Sequence, residues 1–212
     1  MDTNNLLNKI SHTIRSFELL KDDDIALVML SGGGDSVALL RALTALRETL
    51  NIEVLAFHLN HQLRGATAQR DETFARTLCD ELGVTCHIES VDVAAFAQEH
   101  KLNLEDAGRT LRYDRAQEYL REYCDARDIR RSRGKIVTGH TRDDRVETFF
   151  ARALFGAGSG GLGSIRVQRD NIVRPLIECD RAELRAWLEG LGQEWCEDES
   201  NEDTTRTRAF IR

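Results

Sequence analysis

Residues Ser31, Gly32, Gly33, Gly34, Asp35 and Ser36 run consecutively and place three glycines, two hydroxyls and a carboxylate in one short string. Glycine loses more backbone freedom on folding than any other residue, so three in a row imply that backbone must come close to something. The string follows the apolar run Ile25–Leu30 and precedes a helical pattern, which makes it a strand-to-helix turn with the helix starting near Asp35 or Ser36. The N–H groups of such a loop and of the first helical turn form an anion nest, strengthened by the helix dipole. Ser31 and Ser36 add hydroxyl donors at both ends. Phosphate is the anion that fits. Asp35 is the exception, because a carboxylate repels phosphate unless a cation lies between, and that points to Mg²⁺. The string lacks the lysine of GxxxxGK[ST] and the spacing of GxGxxG, so neither of those loops accounts for it.

The elements that must position this loop alternate along the chain. Apolar runs at Ile25–Leu30, Ile52–Leu59, Val84–Val91, Lys135–Gly139 and Asn171–Leu176 predict about five strands. Helical spacing is expected between them: Leu6, Leu7, Ile10, Ile14 and Phe17 in a covering helix, Val37, Leu40 and Leu43 after the loop, and Phe74, Leu78 and Leu82 up to Gly83. A long charged helix runs from Leu104 to Asp128, and another from Asp143 to Phe155. Such alternation predicts a parallel sheet with helices on both faces and right-handed crossovers. Ligands in such sheets bind beyond the carboxyl ends of the strands. The segments that follow strands, "SGGGDS", "NHQLRG" and "HTRDD", gather polar and charged residues at that rim.

The 212 residues carry 41% hydrophobic and 31% charged residues, which supports a buried core and argues against global disorder. No stretch approaches the roughly 20 apolar residues of a membrane span, and the first residues show no secretory cleavage pattern. Five cysteines without a CxxC spacing are expected to be reduced core thiols, which with the other features predicts a cytoplasmic protein. A net charge of −7 makes any contact with nucleic acid local. The run Ala126–Lys135, with five basic residues, is either a solvated face or a phosphate track.

The string Ser31–Ser36 resembles the PP-loop of the ATP pyrophosphatases, which split ATP between the α and β phosphates and adenylate a substrate. "HLNHQLRG" (His58–Gly65), "LEDAGRTLRYDRAQEY" (Leu104–Tyr119), "TGHTRDDRVETFFARALFGAGSGGLGSI" (Thr138–Ile165), "RPLIECDRAEL" (Arg174–Leu184) and "WCEDESNEDTTRTRAFIR" (Trp195–Arg212) follow in order. Together they resemble the N-terminal domain of the tRNA(Ile)-lysidine synthases. The resemblance implies a Rossmann-like α/β fold and one catalytic domain over residues 1–212, without the tRNA-gripping parts that follow in the family. It also implies a two-step reaction. The C2 oxygen of the wobble cytidine in the CAU anticodon of tRNA(Ile) attacks the α-phosphate of ATP, releasing pyrophosphate. The ε-amine of L-lysine then displaces AMP.

On this resemblance Ser31, Gly32, Gly33, Gly34 and Ser36 hold the leaving pyrophosphate, and Asp35 and Asp144 hold Mg²⁺. Asp144 and Glu147 lie three apart on one helix face, where Glu147 is placed to hold or deprotonate the lysine ammonium. Arg112 is the first choice for the arginine that faces the phosphates and the adenylated base, with Arg109 beside it as a contact to tRNA or lysine. Backbone near His58 and Leu59 is expected to read adenine, Gly139 and His140 to touch the nucleotide, and His61 and Arg64 to follow as weaker candidates. The glycine-rich Ala157–Ser164 is long enough to close as a lid. Arg208 and Arg212 match the family's Arg-Asn-x-Ile/Leu-Arg ending, but Ala209 stands in place of its asparagine. A homodimer is compatible with these features. Two rival readings are a sulfur-transferring PP-loop enzyme, which the cysteine spacing disfavours, and a nucleotide-binding module without catalysis.

Overall fold

A computed structural model describes residues 3–61, 66–154 and 164–196. Helix α1 (Thr3–Ser16) leads into β1 (Ile25–Met29), α2 (Gly34–Leu50), β2 (Glu53–Asn60), α3 (Ala66–Leu82) and β3 (Thr85–Ser90). Two helices, α4 (Val93–His100) and α5 (Leu104–Ala126), precede β4 (Gly134–Val137), and α6 (Arg142–Leu154) follows it. The short strands β5 (Gln168–Arg169) and β6 (Ile172–Val173) precede α7 (Arg181–Gly190).

The strands form one six-stranded sheet in the order β3-β2-β1-β4-β6-β5, parallel except for the edge strand β5. β1 is central and buried at every position, as expected of a parallel strand covered on both faces. Its side chains alternate between two cores. Ala26 and Val28 face α1, α2, α3 and α7, where Leu6, Ile10, Leu40, Leu78, Leu184 and Trp187 are buried. Ile25, Leu27 and Met29 face α4 and α5 through Val93, Ala97, Leu111 and Leu120.

From β1 the chain steps outward to β2 and β3, then returns to place β4 on the other side of β1. The strand order therefore reverses between β1 and β4, and the crevice beyond their carboxyl ends is the position where such sheets bind ligands. The Ser31–Gly33 loop leaves β1 there, and Thr138–Thr141 leaves β4 beside it.

The expected strands and helices are present with shifted ends, and three differences matter. The fifth strand shrinks to Ile172–Val173 and pairs with β5 in a tight hairpin through Asp170, whose φ of 55° is left-handed. Helix α4 was not expected; it is short and starts at the Asp92 cap, whose side chain accepts from Ala95 N at 2.9 Å. Nor was α7, which opens on a capping box between Asp180 and Glu183.

The basic run lies at the amino end of the sheet, because Arg131–Arg133 forms the 3₁₀ turn that enters β4. Arg131 is paired with Asp125 and Arg133 with Asp23. It therefore does not border the crevice.

Candidate active site

The glycine–serine loop is held by its own hydroxyls. Ser36 Oγ donates to Gly33 O at 2.8 Å and accepts from Ser31 N at 3.2 Å, while the Ser31 and Ser36 hydroxyls lie 3.1 Å apart. Gly33 is the N-cap of α2 and offers no side chain to cap it, so the first N–H groups of α2 keep their capacity to bind an anion. Gly32 has a φ of 92°, a conformation strained for any residue with a Cβ. Its carbonyl also accepts from Cys196 N at 2.9 Å, which brings the Trp195–Cys196 segment against the loop. Gly139, after β4, approaches the first turn of α2 so closely that a Cβ there would lie 3.0 Å from Asp35 O.

Asp35, Asp144 and Glu147 converge on one cation, Arg181. Arg181 Nε donates to Asp35 at 3.2 Å, Nη2 to Asp144 at 3.0 Å and Nη1 to Glu147 at 3.1 Å. The group is mostly buried, with the Arg181 side chain 17% exposed and that of Glu147 11%. Burial holds the Asp35 carboxyl above its ordinary value; Arg181 pulls the other way and Asp144 adds to the rise. Burial by itself would lower the Arg181 guanidinium, but Asp144, Asp35 and Glu147 outweigh it and the net shift is upward.

Two helix starts fix this geometry. The other oxygen of Asp144 caps α6, accepting from Thr141 N at 2.7 Å and Thr141 Oγ1 at 2.9 Å. Arg181, the first residue of α7, donates its backbone N–H to Asp143 at 2.8 Å. Arg142 N donates to Cys179 O at 2.9 Å, and the Arg142 guanidinium forks onto Asp180. These contacts clamp the start of α7 to the start of α6. Asp35 and Asp144 fit a divalent cation in charge and mutual nearness, since magnesium commonly takes one or two carboxylates plus substrate phosphates. No group of three or more potential metal ligands occurs among the described residues.

A second cluster lies along the crevice on the α5 side. Arg112 Nη2 donates to His61 Nε2 at 3.2 Å. Burial, and then Arg112, push the His61 imidazole down to about 4, so it is neutral and accepts. Burial likewise lowers the Arg112 guanidinium from its ordinary value. His58 Nδ1 donates to Leu30 O at 2.9 Å and so braces the exit of β1; burial lowers its imidazole too. β1 pairs only as far as Met29 opposite Phe57, so His58, Leu59 and Asn60 extend past its end. His140 Nδ1 and Thr138 Oγ1 lie 2.9 Å apart.

The crevice thus brings together Ser31–Ser36, Gly139, Asp144 and Glu147. Arg112 and Arg109 share a separate cluster. Arg64, Arg208, Arg212 and residues 157–163 of the proposed lid lie outside the described residues. Sequence reasoning missed Arg181: the Asp180–Glu183 capping pattern inside "RPLIECDRAEL" marks the start of α7 but not the partners of its first residue.

An open parallel sheet with an uncapped glycine–serine helix start at its switch point, faced by clustered carboxylates, defines a nucleotide-binding type of α/β protein. The chain belongs to the PP-loop domain family, whose match spans residues 3–212. It is 35% identical over 208 residues to tRNA(Ile)-lysidine synthase of Clostridioides difficile, covering 98% of this chain and 43% of that protein. The enzyme of the same name from Clostridium perfringens is 38% identical over 205 residues, covering 96% of this chain and 42% of that protein. That from Chlorobaculum tepidum is 37% identical, with 92% and 56% covered. The chain thus spans about half the length of these relatives. Among solved structures, the U34-tRNA thiolase NcsA from Methanococcus maripaludis superposes with a TM-score of 0.72 at 16% identity, covering 96% of this chain and 69% of that one. That likeness is one of fold.

Proposed function

We propose that this chain is the catalytic PP-loop domain of a tRNA(Ile)-lysidine synthase, a ligase that joins L-lysine to C2 of the wobble cytidine in the CAU anticodon of tRNA(Ile) at the expense of ATP. The observation that carries this reading is the convergence of Asp35, Asp144 and Glu147 on one cation beside an uncapped, glycine-rich helix start. The loop suits the β and γ phosphates of ATP, and the overhang of β2 at His58–Asn60 suits recognition of adenine by backbone groups. Asp35 and Asp144 would hold Mg²⁺, which supplies Lewis-acid neutralisation of phosphate charge.

In the first step the C2 oxygen of cytidine attacks the α-phosphorus of ATP, the α–β bridging bond breaks and pyrophosphate leaves. Arg112 is the residue assigned to offset charge on the transferred group. In the second step the lysine ε-amine attacks C2 and the C2–O bond breaks, releasing AMP. The amine must first lose a proton, and the Glu147 carboxylate is the group assigned to hold the ammonium and take it. Substrates of this kind place the protein in the cytoplasm, and among the described residues no helix is long and apolar enough to cross a membrane. A sulfur-transfer reading gains no support from Cys196 beside the loop, because burial, and then Asp71, push its thiol up to about 11.

Pyrophosphate release measured with single omissions tests the reading. Release should need ATP and tRNA(Ile) but not lysine, whereas AMP release should need all three. Pyrophosphate release independent of tRNA would contradict it.

A further inference from the structure

Arginines around the α6–α7 junction pair with acids: Arg142 with Asp180, Arg145 with Glu178 and Arg181 with three carboxylates. Three arginines on the α5 side of the crevice break this pattern. Arg109 and Arg112 lie early in α5, and Arg174 directly follows β6. Tyr113 joins them: the Arg109 guanidinium sits over its ring at 5.8 Å, and the bond from Gln117 to Asn171, with Tyr113 and Ile172 in one core, sets this stretch of α5 beside β6 and Arg174. No carboxylate pairs with Arg109, Arg112 or Arg174 among the described residues.

Arg174 is 6% exposed. Its Nη1 donates to Arg166 O at 2.8 Å, but its Nε is buried without a partner among the described residues. His61 Nδ1, on the ring whose Nε2 accepts from Arg112, is buried in the same condition. Desolvating a cation beside like charges is costly unless an anion offsets it. The forked guanidinium matches a phosphate with paired, charge-assisted hydrogen bonds.

We infer that Arg174, with Arg109 and Tyr113 and next to Arg112, forms a phosphate subsite across the crevice from the glycine–serine loop. Phosphate is the ligand chemistry. The inference rests on the proposed function only for its two sources, the triphosphate of ATP and the RNA backbone. Because the start of α2 already suits the triphosphate, the backbone phosphate beside the wobble nucleotide is the expected source.

The test is binding, without turnover, of ATP and of an RNA anticodon stem-loop to the full chain and to Arg109→Gln and Arg174→Gln. Each variant should weaken RNA binding on the order of tenfold, as for a lost hydrogen bond to a charged group. Each should also reduce the slope of log affinity against log salt by roughly 0.7 to 0.9. ATP affinity should stay the same. Loss of ATP affinity with RNA binding intact would keep the subsite and assign it to the nucleotide. Arg174→Gln also removes the bond to Arg166 O, so if it fails to fold, Arg109→Gln decides alone. Unchanged affinities and slopes in every variant that folds overturn the subsite and leave Arg174 as a brace for the 166–167 backbone. A chain that binds RNA through these arginines yet forms no lysidine would overturn the proposed function and not the subsite.

Discussion

Arg181 Nε lies 3.2 Å from the Asp35 carboxylate, an ion pair between residues 146 positions apart. It joins the first turn of α2 to the start of α7, and through Asp144 and Glu147 it brings α6 to the same point. One guanidinium thus sets the spacing of the three acids to which the proposed chemistry assigns metal and amine. Removing it leaves buried carboxylates facing one another.

Arg181→Met should therefore destabilise the chain by roughly 3 kcal/mol, the scale for removing one partner of a buried ion pair. Chemical denaturation at neutral pH reads this directly. The loss should shrink in acid, where the carboxylates are protonated. A loss that is the same at pH 4 and pH 7 would mean that packing, not charge, gives Arg181 its weight.

Asp35→Asn should abolish Mg²⁺-dependent adenylation while the fold persists. Its stability effect has a definite sign. Burial raises the folded-state pKa of Asp35, so the wild-type side chain contributes least once pH has risen through that value. The variant should melt above wild type at pH 7, and the gap should close as pH falls below about 4. Wild-type adenylation by the variant would remove Asp35 from the metal site.

Much of the frame was legible before any coordinates. The Ile25–Leu30 run is apolar at every position because β1 is covered on both faces, and glycines after such a run mark a strand-to-helix turn. The Asp144–Glu147 spacing placed both acids on one side of α6, and both meet Arg181. Arg181 itself was not legible, since its partners lie 34 to 146 residues away and no local pattern links them. β5, with two polar residues, carries no apolar signal, and β6 was legible only as the longer run Asn171–Leu176 around its two residues. The place of the basic run was readable in principle: it precedes β4, so it belongs to the amino end of a parallel sheet.

That placement carries its own expectation. Arg130 is exposed in that run, at the end of the sheet away from the crevice. Arg130→Glu should leave the salt dependence of RNA binding unchanged. A flattened slope would show that RNA also reaches the amino end.

His61 should make the chain acid-sensitive in a defined window. Its folded-state pKa is lowered to about 4, chiefly by burial, so its contribution is complete above the unfolded value near 6.5 and is lost as pH falls toward 4. His61→Gln should reduce the drop in melting temperature between pH 7 and pH 4. An unchanged drop would place the acid sensitivity elsewhere, with the buried His58 as the next group to replace.

The most direct measurement is mass analysis of the anticodon nucleosides of tRNA(Ile) after incubation with the chain, ATP, Mg²⁺ and isotopically labelled lysine, using wild type and Glu147→Gln. Wild type should convert the wobble cytidine to a product heavier by labelled lysine less water. Glu147→Gln should accumulate the adenylated cytidine even with lysine in excess, because the proton acceptor for the amine has gone. Cytidine left unmodified by wild type, or a Glu147→Gln variant that makes lysidine at the wild-type rate, would contradict the assignment of this crevice to the two-step ligation.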